Sequence, residues 1–421
     1  MTKLLLRWFV KDHENKESPK VRNRVGRLSG ITGILCNVLL FAGKLIQLGL
    51  TAADLQAYAG NPKLLTVQGT KVNSFFFNTS TKALQAMDAN KGNVNSVVLS
   101  SEDFRKALSL AIDRQMLTDV TVSGMPAYGL VNERYYYDVH NDVNSSYRLS
   151  EAGKKAICDL YGVTYGEEGQ YPTVEEAYAS VTGYDLEKAK TLMKAACDKL
   201  VIAGLYTAGQ EIKIRIAWSA GAPNTEAVAI VKQLNAFANA AAADSGFGTI
   251  TFEAVGNVAD RYAAVPAGEF AMGYGAWSGG SSAVTQIMQL YCDPTAYALH
   301  EAACWEPADT DLTLDVEGEL VTLTWQQWAN ALEGTGPYAS ASNEVKLSIL
   351  SQMETEFLKQ YYRIPLFSSE TATLLSQRVS YYTNNYSNVY GFGGLRLMTY
   401  HYDDAQWAAH VEDLGGTVSY E

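Results

Sequence analysis

Cysteine is scarce: the 421-residue chain has five, at 36, 158, 197, 292 and 304. None stands in a CxxC pair or beside a histidine at zinc spacing, which excludes a zinc-ribbon or thioredoxin-like chemistry. No two of the five histidines, at 13, 140, 300, 401 and 410, lie three to five residues apart, so a helical metal pair is excluded too. His401 with Asp403 and Asp404 beside it reads as an exposed acidic turn rather than a metal site. The sequence has no G-x-S-x-G elbow, no Walker loop, no H-E-x-x-H and no G-x-G-x-x-G. Gly391-Phe392-Gly393-Gly394 lacks the third glycine spacing and reads as a turn. No pair of carboxylates is singled out for glycosidic chemistry. No residue is therefore assigned a catalytic role, and no metal or cofactor is expected. Basic residues are the scarcer sign, 33 against 45 acidic, for a net charge of −12. That balance excludes a chain-wide nucleic-acid face. A mean hydropathy of −0.10 excludes a polytopic membrane protein.

An odd cysteine count leaves at least one unpaired within the chain. Cys36, in an apolar stretch, is the natural leftover. Cys292 and Cys304 are spaced to close a short loop in an oxidising compartment, a link worth roughly 3 kcal/mol. The alternative is five free thiols.

What is present falls into two chemically different parts. Residues 1–50 carry nine Lys/Arg and three Asp/Glu, a net of +6, and the remainder carries −18. From Leu28 to Gly43 (LSGITGILCNVLLFAG) no charge occurs, and LIQLGLTAA continues beyond Lys44. That run is a little short of the ~20 residues a spanning helix needs, but a terminal lysine can snorkel. Eight Lys/Arg precede it, including Lys20, Arg22, Arg24 and Arg27, which by the positive-inside rule keeps the N-terminus cytoplasmic. The alternative is a buried helix of a soluble protein. Pro19–Ile46 (PKVRNRVGRLSGITGILCNVLLFAGKLI) resembles the start of a cation diffusion facilitator transporter up to its first membrane helix. The resemblance ends near Gln47, and none of that family's metal-site residues follows.

From Leu50 onward the pattern is that of an α/β protein, and the length allows two or three domains at roughly 150 residues each. Strands are expected at Lys71–Thr79, Glu211–Trp218, Thr249–Val255 and Phe270–Trp277. Three consecutive phenylalanines in the first imply burial on both faces. A capping box at Ser100–Asp103 opens a helix running to Leu117. Helices follow at Asp185–Ala203, with Gly204 just beyond its end, at Asn224–Ala241 and at Val258–Val265. The β-α-β-α-β order implies right-handed crossovers and a mainly parallel sheet. Further helices are expected at Ser282–Tyr291, Trp325–Leu332 and Asn343–Tyr362. Short strands follow at Ile364–Phe367, Arg378–Tyr382 and Met398–Tyr402. Residues 132–147, rich in Tyr, Asn and Asp, read as an exposed loop. Gly162–Pro172 is the nearest approach to a boundary.

Aromatic residues are plentiful: 26 Tyr, 7 Trp and 13 Phe. Packing accounts for most of them, but GYGAWSGG (Gly273–Gly280) ends a strand in Trp and then in small residues. Glycines there leave room for a ligand against the backbone. Ligands of open α/β sheets sit outside the carboxyl ends of the strands. Tyr274, Trp277, Ser278 and Gly279 are thus candidate ligand-binding residues; a core tryptophan is the alternative at Trp277.

Several segments in order carry a second resemblance, over about residues 50–415. They are Phe77-Asn78-Thr79, FRKALSLAIDR (Phe104–Arg114), YDLEKAK (Tyr184–Lys190), Met272–Trp277, Ile364-Pro365-Leu366-Phe367 and Asp403–Trp407. Together they resemble the C-terminal two-thirds of a family-5 extracellular solute-binding protein of the oligopeptide, dipeptide and nickel class. The resemblance implies an α/β, periplasmic-binding-protein-like two-lobe fold with an incomplete N-terminal lobe. It puts the second lobe at roughly 80–280 and the return to the first at roughly 281–421, after a head at 1–50 with one candidate transmembrane helix. It adds Asn78 to the candidate ligand-binding residues. It implies a peptide or related small-solute ligand, ABC importer permease subunits as partners, and no catalysis. The place implied is extracellular or periplasmic, with the N-terminal helix as the membrane anchor. Peptide binders of the family often carry an acidic residue soon after the equivalent of Trp277; here Ser278–Ser282 has none, which leaves open a neutral or differently charged ligand or a different anchor. The alternative functions are a non-functional chimeric product joined near residue 50 and a cation efflux transporter fragment.

Overall fold

The computed structural model describes residues 46–48, 57–58, 60–121, 124–138, 145–218, 221, 223–277, 283–292, 305–380, 386–387, 391–392, 398–416 and 418. The predicted membrane stretch 28–43 lies outside them. No helix among the described residues is long and apolar enough to cross a membrane.

The strands, in chain order, are β1 (Ile46–Leu48), β2 (Leu64–Phe77), β3 (Met125–Pro126), β4 (Ile212–Ala217), β5 (Ile250–Val255) and β6 (Met272–Trp277). They continue with β7 (Asp311–Val316), β8 (Glu319–Thr324), β9 (Arg363–Leu375), β10 (Val379–Ser380), β11 (Tyr386–Ser387), β12 (Gly391–Phe392) and β13 (Thr399–Tyr400). The helices are α1 (Thr81–Asn90), α2 (Glu102–Ala111), α3 (Arg114–Thr121), α4 (Glu151–Tyr161), α5 (Val174–Ser180) and α6 (Leu186–Ile202). After them come α7 (Thr225–Ala242), α8 (Arg261–Ala264), α9 (Gln289–Cys292), α10 (Trp325–Leu332), α11 (Asn343–Lys359) and α12 (Asp404–Asp413). The chain divides into a larger unit, Gln68–Glu370, and a smaller one, Met1–Val67 with Thr371–Glu421.

The larger unit is built on a sheet in the order β9-β2-β6-β4-β5, with β3 on β9. The expectation of a mainly parallel sheet holds only in part. β4 is parallel to β5 and to β6, as the intervening crossovers require, but β2 is antiparallel to β6, Phe75 opposite Tyr274. β2 comes from distant sequence, and no crossover helix sets its direction. Phe75 and Phe77 enter one core with α2, α6 and α7, while Phe76 enters a separate cluster with Ala217 and Val265. The three phenylalanines thus bury on both faces.

Helix starts follow the capping chemistry. Asp185 caps α6 by accepting from Lys188 N, and Asn224 caps α7 by accepting from Ala227 N. For α2 the cap is Ser101, not Ser100, whose hydroxyl donates to Val97 O instead. The expected single helix to Leu117 breaks at Ile112, which is extended, and resumes as α3.

The two arginines of FRKALSLAIDR serve these joints. Arg105 donates to the carbonyls of Leu99, Tyr361 and Gln360 at 2.7–3.0 Å. Burial lowers its pKa to about 10. Arg114 donates to the carbonyls of Pro365, Ser109 and Gly183. Arg105 so ties α2 to the turn between α11 and β9, and Arg114 ties the start of α3 to β9, a role a lysine's point charge fills poorly.

A second core of the same unit gathers α4, α10, α11 and the β7–β8 hairpin around Trp328, Met353 and Phe357. Within the stretch 132–147, expected as an exposed loop, Tyr135 and Tyr147 belong to this core and are buried, while 139–144 lie outside the described residues. Tyrosine can be buried when its hydroxyl finds a partner, and Tyr147 Oη donates to Glu354 Oε2 at 2.8 Å. Glu354 also receives Arg148 Nη2 at 2.5 Å and the Leu130 N–H at 2.8 Å. In the smaller unit β1 pairs antiparallel with β9, Ile46 opposite Leu375. Gly391-Phe392 is a short strand on β11 rather than a turn. Arg378 lies over the rings of Tyr400 and Trp407 and pairs with Asp404 at 2.8 Å.

Candidate functional site

The carboxyl ends of β4, β5 and β6 form one rim of the larger unit. α7 leaves β4 on one face of the sheet, and its apolar residues Ala227, Ile230 and Leu234 join the main core. Residues 258–265 leave β5 on the other face, where Val258, Tyr262 and Val265 meet Phe76. In open α/β sheets this divergence of successive connections is where ligands are commonly bound.

On the α7 face, Trp218 follows β4 directly and stacks on Tyr274, centroids 3.9 Å apart and planes 10° apart. The Trp218 backbone is held at both ends: its N–H donates to Val255 O at 2.9 Å and its carbonyl accepts from Val258 N at 3.2 Å. Tyr274 Oη lies 3.5 Å from Glu226 Oε1, on the first turn of α7. Burial, then the Glu226 charge, pushes the Tyr274 hydroxyl well above its usual range. Glu226 is itself raised, by desolvation first, against the lowering effect of its contact with Tyr274.

On the other face Tyr262 stacks on Phe76, centroids 5.2 Å apart, and donates to Ala276 O at 2.8 Å. The Arg261 guanidinium sits 4.7 Å from the Tyr262 ring centroid. The glycines of β6 make room for these rings. A Cβ on Gly273 would come within 2.3 Å of the Phe76 ring, and one on Gly275 within 2.4 Å of Tyr262 Oη.

Of the predicted ligand-binding residues, Tyr274 lies in the rim. Trp277 ends β6 with its backbone opposite Val72. Ser278 and Gly279 lie outside the described residues. Asn78 is 1% exposed, and its side chain donates to Val265 O and accepts from Ser80 N. That geometry gives Asn78 a structural role at the entry to α1. Cys292 is buried, and Cys304 lies outside the described residues. Among the described residues no group of three or more metal-ligating side chains occurs. Asp403 caps α12 and Asp404 pairs with Arg378, so both acids beside His401 have structural partners. Sequence reasoning missed Trp218, Glu226, Arg261 and Tyr262. One signal was available: EIKIRIAW ends a strand in tryptophan, as AMGYGAW does.

The model of one family, described as bacterial extracellular solute-binding proteins, family 5 Middle, matches residues 37–298. The match begins inside the stretch read above as the transporter-like head. No curated protein matches the sequence. Among solved structures, the ABC transporter substrate binding protein CtaP from Listeria monocytogenes superposes with a TM-score of 0.54 at 13% identity, covering 87% of this chain and 58% of that one. The substrate-binding domain of an oligopeptide ABC transporter from Bacillus anthracis gives 0.50 at 13% identity, with 82% and 53% covered. HbpA2 from Haemophilus parasuis gives 0.50 at 15%, with 86% and 55% covered. The likeness is one of fold, and the chain spans little more than half the length of these proteins.

Proposed function

The chain belongs to the bacterial extracellular solute-binding proteins, family 5, and from that premise we propose that it is a substrate-binding component of an ABC importer that takes a peptide without turning it over. The observation that carries the reading is the Trp218–Tyr274 stack at the carboxyl-end rim, with Glu226 beside it. Flat aromatic surface gives contact area to side chains of varied shape at low entropy cost. Glu226 offers a carboxylate to a peptide's α-amine, in place of the acidic residue lacking at 278–282. One solved relative is named as the substrate-binding domain of an oligopeptide transporter, which supports a peptide over a sugar or metal complex. The partners on this reading are the permease subunits of the importer. Its place is the extracellular or periplasmic face, with 28–43 as an anchor whose preceding basic residues stay in the cytoplasm.

A thermal-shift screen of the full chain against tri- to pentapeptides, free amino acids and sugars tests the reading. A ligand at 100 times its Kd adds about 2.7 kcal/mol to stability. Stabilisation by peptides and not by sugars is expected; stabilisation by sugars alone would overturn the peptide assignment.

A further inference from the structure

Arg261 stands out as an unspent cation. Its Nε is buried and has no hydrogen-bond partner. Its Nη2 has one weak contact, 3.4 Å to the neutral Tyr262 hydroxyl, which itself donates to Ala276 O. The guanidinium otherwise rests on the Tyr262 ring, 4.7 Å from its centroid. Among the described residues no carboxylate pairs with it, although the chain holds 45 acidic residues against 33 basic ones. The adjacent Asp260 is occupied in capping α8, accepting from the N–H groups of Tyr262 and Ala263. Three fully buried arginines of this unit have several acceptors each: Arg105 three carbonyls, Arg114 carbonyls and the Ser109 hydroxyl, Arg148 Glu354 and two carbonyls.

The backbone is shaped to seat this arginine. A Cβ on Gly275 would lie 2.9 Å from Arg261 Nε, so glycine at that position of β6 lets the guanidinium lie against the strand. The strand is the one that ends at Trp277, at the carboxyl-end rim. A buried donor left without an acceptor is destabilising, and an arginine fork matches a carboxylate with two parallel N–H bonds.

We propose that Arg261 is the anion anchor of the site: the ligand brings a carboxylate to its guanidinium. The inference rests on the peptide-binding reading and sharpens it, because it requires a free carboxylate on the peptide. A C-terminal carboxylate and an acidic side chain share that chemistry.

Calorimetric titration of the full chain with Ala-Phe-Ala, with its C-terminal amide, and with the amide of Ala-Phe-Asp separates the possibilities. The free acid is expected to bind at least tenfold more tightly than the amide. Recovery of that affinity by the Asp-bearing amide marks an acidic side chain as an equally good source, and failure to recover it marks the C-terminus; either supports Arg261 as a carboxylate anchor. In Arg261→Gln the acid-to-amide ratio should fall to within twofold, and Arg261→Lys should keep an intermediate ratio. Equal affinity of acid and amide for the unaltered chain, or an Arg261→Gln ratio as large as the original, would overturn the anchor while leaving the peptide reading in place. Binding of no peptide at all would overturn both.

Discussion

The indole of Trp218 lies flat on the ring of Tyr274, centroids 3.9 Å apart, joining the residue after one strand to the middle of the neighbouring strand. The pair is at once core and rim. It packs with Phe75 and α7 beneath and borders the carboxyl ends of the parallel strands.

Replacing Trp218 should therefore affect binding and stability together. Trp218→Leu is expected to weaken peptide binding at least tenfold and to lower stability by roughly 1–3 kcal/mol through imperfect refilling of the aromatic space. Trp328→Phe, in the other core of the unit, should lower stability alone. Peptide titrations and urea melts of both variants distinguish the roles. Unaltered peptide affinity in Trp218→Leu would remove the stack from the site.

Glu226 gives the site a pH signature. Its carboxyl titrates above the usual range, because burial against the aromatic pair outweighs the lowering by Tyr274 Oη. A carboxyl with a raised folded-state pKa contributes stability that is fully present below its unfolded value of about 4.3 and is lost as pH rises through the folded value. Glu226→Gln should thus raise Tm near pH 7, and the gain should vanish as pH falls below about 4. Melts across that range check the sign; a gain that grows toward acid would contradict it.

Glu354 is the hub of the second core, taking hydrogen bonds from Arg148, Tyr147 and the Leu130 N–H. Desolvation alone would lower the Arg148 pKa, but Glu354 outweighs it and holds the guanidinium charged. Glu354→Ala strands that charge and should cost about 3–5 kcal/mol. Tyr147→Phe removes one donor and should cost about 1–3 kcal/mol. Urea unfolding measures both. Equal losses would show that the two bonds to the carboxylate are not separable.

Much of the fold was legible because periodicity and capping chemistry are local. Asp185 caps α6 as expected, α7 starts just after Asn224 where a helix is expected, and α10 runs Trp325–Leu332 as expected. The antiparallel placement of β2 was not legible, since it depends on partners about 200 residues away. Residues 132–147 misled because their tyrosines read as polar, whereas Tyr147 is buried by virtue of Glu354, far along the chain. At the site, the strand-end pattern led to Tyr274 and the rim. It did not lead to Arg261 or Glu226, which reach the rim from a four-residue helix and a helix start with no motif of their own.

Gly275 offers a test independent of any ligand. Gly275→Ala drives a methyl to 2.4 Å from Tyr262 Oη and 2.9 Å from Arg261 Nε, so one of them must shift. The expected loss is about 1–3 kcal/mol, partly restored by Tyr262→Phe in the same chain. A neutral Gly275→Ala in thermal melts would show that the rim relaxes freely.

The most direct test of peptide binding is calorimetric titration of the full chain with a pentapeptide library, followed by single peptides chosen from it. Saturable one-to-one binding, weakened at least tenfold by Trp218→Leu, is the expected result. Heats no greater than dilution for every peptide up to millimolar concentration would contradict it.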